Sequence, residues 1–234
     1  MTVSRPIALV TGASRGIGRA VALELAREQW RVVCTARSQK ALEALDDEIK
    51  ALGAEAILVP LDLRDFDGID RLGGALFDRF GKLDGLVACA GALGALTPVH
   101  QASPSLMDEV IGVNLTANWR LIRAMHPLLR AAEAGRAVFL TTGDGPKSRA
   151  YWGPYAATKA ALETLVRCYA AENTITPIRV NLFNPGPTRT AMRAKAFPGE
   201  DPMTLPAPEQ VAPRIAAMLR PDYADNGETV SFKH

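Results

Sequence analysis

Short runs of consecutive apolar residues alternate along the chain with longer segments in which apolar positions recur every three or four residues. Strands buried on both faces read as continuous apolar runs, and helices with one buried face show the longer period. On this pattern strands are predicted at residues 7–10, 31–35, 56–59, 83–88, 137–140 and 178–182. The first intervening helix carries Ile17, Val21 and Leu25 on one face, and the second covers 41–52 with Leu42, Leu45 and Ile49 inward and Gly53 as its stop. Further helices are predicted over 67–80, ending at Gly81, over about 104–134 as one long segment ending at Gly135, and over 155–172. Strand–helix alternation of this kind implies an α/β fold, a doubly wound parallel sheet with helices on both faces. The rhythm breaks in the last fifty or so residues, where Pro185, Pro187, Pro198, Pro202, Pro206 and Pro208 mark irregular chain with short helices. One more helix over 211–219 and a final strand over 228–232 close the pattern. There is no repeat at a fixed short period and no low-complexity tail.

A length of 234 residues fits one α/β domain spanning 1–234, and 48% hydrophobic residues supply a sizeable core. Lys plus Arg number 27 against 25 Asp plus Glu, a balance that excludes a dedicated nucleic-acid binder with a basic stripe. No apolar run approaches the roughly 20 residues that span a bilayer, and residues 1–6 lack the apolar stretch of a signal peptide. Cys34, Cys89 and Cys168 are odd in number and widely spaced, which predicts reduced, buried thiols in a cytoplasmic protein. His100, His126 and His234 show no metal spacing, so no metal site is expected, and His126 reads as a packing residue.

Two motifs carry the chemistry. Thr11-Gly12-Ala13-Ser14-Arg15-Gly16-Ile17-Gly18 follows a predicted strand and opens a predicted helix. Glycines there permit a tight turn and close approach of the backbone to a pyrophosphate, which then faces free N–H groups and the helix dipole. The spacing is G-x-x-x-G-x-G rather than the commoner G-x-G-x-x-G. In the second half, Tyr155 and Lys159 stand at i and i+4, so phenol and amine share one helix face. An ammonium beside a phenol favours the phenolate and brings it towards acid–base work at neutral pH. In this order the two motifs point to hydride transfer between a nicotinamide and a carbonyl or alcohol.

With these motifs, and with Leu61-Asp62-Leu63, Cys89-Ala90-Gly91, Asn114 and Asn184-Pro185-Gly186 followed by Thr188 and Thr190, the chain resembles the short-chain dehydrogenase/reductase family over nearly its whole length. The run from Thr188 through Ala194 is similar to that of a poorly characterised bacterial subgroup. The resemblance implies a single Rossmann-type domain, a nicotinamide cofactor, a small-molecule carbonyl or alcohol substrate and a homodimer or homotetramer. It implies that Tyr155 is the acid/base and that Lys159 also binds the nicotinamide ribose. The family usually has Ser thirteen residues before the Tyr; here that position is Thr142, which keeps the hydroxyl and adds a methyl group. Thr141 is the weaker candidate, since alternation points it to the other face. Asn114 is implied to kink the long helix and hold a water in a proton relay, and an Asn satisfying helix backbone groups is the plainer reading.

By the same resemblance the cofactor set comprises Gly12, Ser14, Arg15, Gly16, Ile17, Gly18, Asp62, Leu63, Ala90, Gly91, Tyr155, Lys159, Pro185, Gly186, Thr188 and Thr190. Asp62 and its neighbour Leu63 would meet the adenine, with a helix-capping Asp as the alternative. Cys89 replaces the Asn that the family often has before Ala-Gly, a departure that touches the sheet rather than the chemistry. The end of the second strand selects the cofactor. An acidic residue there would bind a free ribose 2′-OH, but the chain has Thr35-Ala36-Arg37-Ser38. Arg37 and Arg15 suit a 2′-phosphate, so NADP(H) is expected.

Residues 187–208 are expected to form a substrate lid. Arg189, Arg193 and Lys195 beside it read as a solvated helix face, and Tyr151 and Trp152 as lining either a pocket or an interface. Two other functional readings are a 3-oxoacyl thioester reductase, resting on that Arg–Lys cluster, and a cofactor-binding sensor or scaffold with little turnover, resting on the Thr142 and Cys89 departures.

Overall fold

The computed structural model describes residues 5–143 and 149–233; residues 1–4 and His234 lie outside them. Seven parallel strands form one sheet in the order β3-β2-β1-β4-β5-β6-β7. They are β1 (Ile7–Thr11), β2 (Arg31–Ala36), β3 (Glu55–Pro60), β4 (Gly85–Ala88), β5 (Arg136–Leu140), β6 (Arg179–Asn184) and β7 (Thr229–Ser231). The chain starts in the middle of the sheet, winds to one edge through β2 and β3, then crosses back to β4. The winding of the chain therefore reverses between the parallel neighbours β1 and β4, the place where open α/β sheets leave a crevice at the C-terminal strand ends. Leu9 faces Val33 of β2 on one side and Leu86 of β4 on the other.

Both faces of the sheet are covered. Ala8, Val10, Val32 and Cys34 pack with residues of α1 (Gly16–Arg27), α2 (Gln39–Ala51) and α8 (Pro208–Ala217). Ile7, Leu9 and Val33 alternate to the other face, against α3 (Phe66–Phe80), α5 (Ala117–Ala131) and α6 (Gly153–Glu172). This period-two switch explains why the strands read as unbroken apolar runs. Caps set the helix ends: the Ser38 hydroxyl accepts from Ala41 N at 3.3 Å, Asp65 accepts from Gly68 N at 2.9 Å, and Gly81 closes α3 at φ +68°.

The predicted long helix over 104–134 is a composite. α4 (Pro104–Ile111) runs into a π turn over Gly112–Thr116 before α5 begins. The extra residue per turn accompanies the buried Asn114, whose side chain bonds outside its own helix. The last helix is displaced towards the N-terminus relative to 211–219, because Pro208 starts it at N1 and the Gln210 side chain accepts from Ala207 N at 2.8 Å. Cys34 is buried as expected, whereas Cys168 is exposed: it lies on the solvent side of α6, a helix apolar enough all round that its pattern does not mark the inner face. His126 is half-buried and pairs with the Tyr169 hydroxyl at 2.9 Å.

Candidate active site

Local chain geometry builds the first wall of the crevice. Gly12 and Gly16 have φ of +66° and +56°, in the left-handed region that side chains disfavour. A Cβ on Gly12 would sit 3.0 Å from the backbone of Ala90, and one on Gly18 would sit 2.8 Å from the Gly12 carbonyl carbon. The turn between β1 and α1 is thus folded tightly on itself and against the exit of β4. Thr11 completes the joint, its buried hydroxyl accepting from Ala90 N at 3.1 Å. Sequence reasoning missed this role, although a polar residue ending an apolar strand is its signal. Arg15 occupies the N-cap of α1 with extended backbone and no side-chain cap, and Ser14 is half-buried beside it.

Further along the strand ends, Arg37 is exposed just after β2. Asp62 after β3 is gripped by Arg64, which reaches its carboxylate from Nε, Nη2 and the backbone N at 2.9–3.3 Å. That hydrogen bonding holds the Asp62 carboxyl below its usual range, and Arg37 adds to it through space. Asp62 is not the helix cap; Asp65 fills that position. Leu63 is buried in the core, so only its backbone faces outward chemistry.

The reacting groups stand on α6 and β5. Tyr155 and Lys159 are both buried, and the Lys159 ammonium lies 5.9 Å from the Tyr155 ring centroid. Lys159 Nζ donates to the Leu140 carbonyl at 2.8 Å. Burial pulls the Lys159 pKa down to about 8, while the negative charge of Glu163 opposes the fall. The desolvated Cys89 thiol is pushed up to about 12, so it stays neutral. Thr142 follows β5 and lines the same cavity as Tyr155. Thr141 is buried and donates its hydroxyl to Glu163 Oε1 at 2.6 Å, yet it also lines that cavity, so alternation does not remove it from the site. Glu163 also accepts from Arg167 at 3.1 Å. Tyr155, Lys159, Glu163 and Arg167 fall at successive i, i+4 positions, a signal in the sequence that could have found Glu163.

Asn114 joins the neighbouring elements. Its Oδ1 accepts from Ala92 N at 2.8 Å, and its Nδ2 donates to Ala92 O at 2.9 Å and to Thr158 Oγ1 at 3.0 Å. Thr158 in turn donates to the Tyr155 carbonyl at 2.8 Å. The Asn114 carbonyl accepts from Asn118 Nδ2 at 2.8 Å. The Asn114 side chain thus satisfies the backbone of the loop after β4 and a side chain of α6, rather than the helix backbone groups of the plainer reading. Gly91 lies over this knot: a Cβ there would stand 3.5 Å from Asn114 Oδ1 and 3.9 Å from Lys159 Nζ.

The turn after β6 forms the opposite wall. Gly186 has φ +64°, and its N–H donates to Asn184 Oδ1 at 3.0 Å. The buried Thr188 donates to the carbonyls of Pro185 and Gly186 at 3.2 and 3.3 Å, and Thr190 caps α7 (Ala191–Ala196) by accepting from Arg193 N at 3.2 Å. Between the walls lies a cavity of about 320 Å³ that brings together Ile17, Thr142, Tyr155, Pro185, Gly186, Thr188 and Thr190. Arg37, Asp62 and Leu63 are outside it, at the ends of β2 and β3. Close backbone approaches at Gly12 and Gly18, an uncapped helix N-terminus and a cavity that reaches Tyr155 fit the phosphate and nicotinamide parts of a dinucleotide.

The cluster over the cavity is solvated at Lys195, which is exposed, while Arg193 is half-buried and held within the chain. Arg193 makes two 2.6 Å bonds to Glu200 and stacks 3.7 Å over the Phe197 ring. Lys195 donates to the Gly94 carbonyl at 2.8 Å, and Arg189 reaches Met203 Sδ at 3.1 Å. Trp152 lines the cavity while Tyr151 is exposed. Among the described residues no cluster of His, Cys, Asp or Glu could hold a metal ion, and no helix is long and apolar enough to cross a membrane.

The short chain dehydrogenase family model matches residues 6–201. The uncharacterized oxidoreductase YciK of Escherichia coli K12 is 38% identical over 219 residues, covering 92% of this chain and 86% of that one. A short chain dehydrogenase from Salmonella enterica serovar Typhi superposes with a TM-score of 0.94 at 34% identity, over 97% of this chain and 96% of the other. A short chain dehydrogenase from Escherichia coli CFT073, complexed with NADPH, superposes with a TM-score of 0.91 at 35% identity, over 98% and 97% of the two chains.

Proposed function

The chain belongs to the short-chain dehydrogenase family of oxidoreductases, and within it we propose an NADPH-dependent reductase of carbonyl groups, reversible in principle. The observation that supports this most is the placing of Tyr155 and Thr142 on one cavity, with the Lys159 ammonium against the Tyr155 ring. Bound in the crevice, the nicotinamide would supply the hydride. Thr142 would hold the substrate oxygen by its hydroxyl, and Tyr155 would give its phenolic proton to that oxygen. Lys159 would stabilise the phenolate left behind, its own charge held in place by the Leu140 carbonyl. Asn114 acts as a positioning residue through Thr158 and the Tyr155 carbonyl.

Arg37, Asp62, Leu63 and the glycine turn would hold the adenosine and phosphates, with Ala90 and Gly91 along the ribose and Pro185 to Thr190 at the nicotinamide. The choice of NADPH rests on Arg37 and Arg15 where a carboxylate would favour NADH, and the NADPH complex of the relative from E. coli CFT073 supports it. A lid over 187–208, a homodimer or homotetramer and a cytoplasmic location belong to the same reading. The thioester alternative loses its support, since Arg193 and Lys195 are engaged within the chain. A sensor with little turnover fits poorly with a lysine desolvated beside a buried tyrosine.

The test is a titration with NADPH and NADH followed by nicotinamide fluorescence, then a carbonyl screen with the wild type and Tyr155→Phe. Tight NADPH binding, and turnover that Tyr155→Phe abolishes without loss of binding, are expected. Equal binding of the two cofactors overturns the cofactor choice, and undiminished turnover in Tyr155→Phe overturns the mechanism.

A further inference from the structure

Three aromatic rings meet above the reacting groups. Trp152 stands edge-on to Tyr155, with centroids 5.9 Å apart and planes at 71°. On another side it meets Phe197 at 5.7 Å and 35°. Phe197 is pressed by the Arg193 guanidinium, and Glu200 fixes that guanidinium with two hydrogen bonds. Trp152, Leu93, Pro185 and Met192 line the cavity around Tyr155. Glu200 offsets the charge of Arg193, and Arg149 lines the cavity as an exposed residue. Polar Asn184, Thr188 and Thr190 line the side of the β6 turn, while the side nearest Tyr155 carries Leu93, Met192 and a clamped indole. At about 320 Å³ the cavity is near the lower end of the roughly 300–1,000 Å³ usual for ligand pockets, and it must also take the nicotinamide end.

We propose that the substrate is a small planar aromatic aldehyde or ketone, of one ring or a fused pair, and that Trp152 is the residue that selects it. Phe197 and the Arg193–Glu200 pair are positioning residues that hold the indole in place. The inference rests on the carbonyl-reductase reading of the same site. Aromatic pairs attract beyond their buried area, and a rigid wall favours a ring that needs no puckering room. Against a saturated ring of the same skeleton the preference should be about tenfold.

The test compares benzyl alcohol with cyclohexylmethanol by calorimetry on the protein–NADPH complex, where both partners are reduced and no hydride can pass, and benzaldehyde with cyclohexanecarbaldehyde in NADPH-dependent turnover. Benzyl alcohol should bind about tenfold tighter to the wild type. The preference should fall to within about twofold in Trp152→Leu and partly in Phe197→Leu, with NADPH affinity unchanged in both. If Trp152→Leu fails to bind NADPH, Phe197→Leu alone decides. Equal binding of the two alcohols, binding of neither, or a preference that survives the substitutions overturns the inference. Discrimination between the alcohols with turnover of neither aldehyde sinks the reductase reading but leaves the aromatic slot standing.

Discussion

The Lys159 ammonium donates a 2.8 Å hydrogen bond to the carbonyl of Leu140, the last residue of β5. One bond thus ties the helix that carries Tyr155 to the strand whose continuation carries Thr142. It also places a charge where burial disfavours one, and the pKa of Lys159 falls to about 8.

That depressed value predicts two pH effects. The kcat/KM for carbonyl reduction should fall above pH about 8, as Lys159 loses the charge that supports the phenolate. A rate flat to pH 10 would exclude this role. For stability the sign follows from the order of the pKa values. The folded value of about 8 lies below the ordinary 10.5, so across that window the unfolded chain binds more protons and stability rises with pH. Below the window the desolvation cost is fully present; above it both states are neutral. Lys159→Met should abolish turnover and flatten that rise, as read by urea unfolding at pH 7.5 and pH 10.

Glu163 lies one turn beyond Lys159 and opposes its loss of charge. In Glu163→Gln the amide oxygen can still accept from Thr141, but the carboxylate charge is gone. The alkaline limb of the pH–rate profile should move to lower pH while NADPH affinity stays within about twofold. A limb at the wild-type position would show that Glu163 serves only to anchor Thr141.

Removing the cation after β2 should separate the two cofactors. Arg37→Ala should weaken NADPH binding about tenfold, matching one lost charge-assisted hydrogen bond of roughly 1.5–3 kcal/mol, and change NADH binding by less than about twofold. Fluorescence titration with both nucleotides measures this. Comparable affinity for both in the variant and the wild type would dismiss Arg37 as a selector.

A methyl group at Gly18 would enter the Gly12 carbonyl, which belongs to rigid backbone. Gly18→Ala should cost about 1–3 kcal/mol in chemical denaturation and weaken NADPH binding, because the turn must open to admit it. A loss of less than about 0.5 kcal/mol would mean that the turn relaxes freely. Gly53, where a Cβ would meet nothing within 4 Å but φ is +71°, is the control for strain without collision.

Local signals determined much of this protein. Apolar runs located β1 to β6 within a residue or two, because strands covered on both faces keep consecutive apolar residues, with few polar positions such as Thr35 and Asn181 among them. Gly12, Gly16 and Gly18 marked the turn through backbone freedom alone, and Tyr155 and Lys159 shared a face by helical spacing. Other features depended on what each segment met. The π turn at Asn114 arises because its side chain bonds to Ala92 and Thr158, distant in sequence. Cys168 faces solvent, and the Arg193–Glu200–Phe197–Trp152 stack turns an apparent charged surface into the brace of a pocket wall. Periodicity specifies that a helix has faces; only packing against the sheet and the chain after β6 decides which face is inside and which charges find partners.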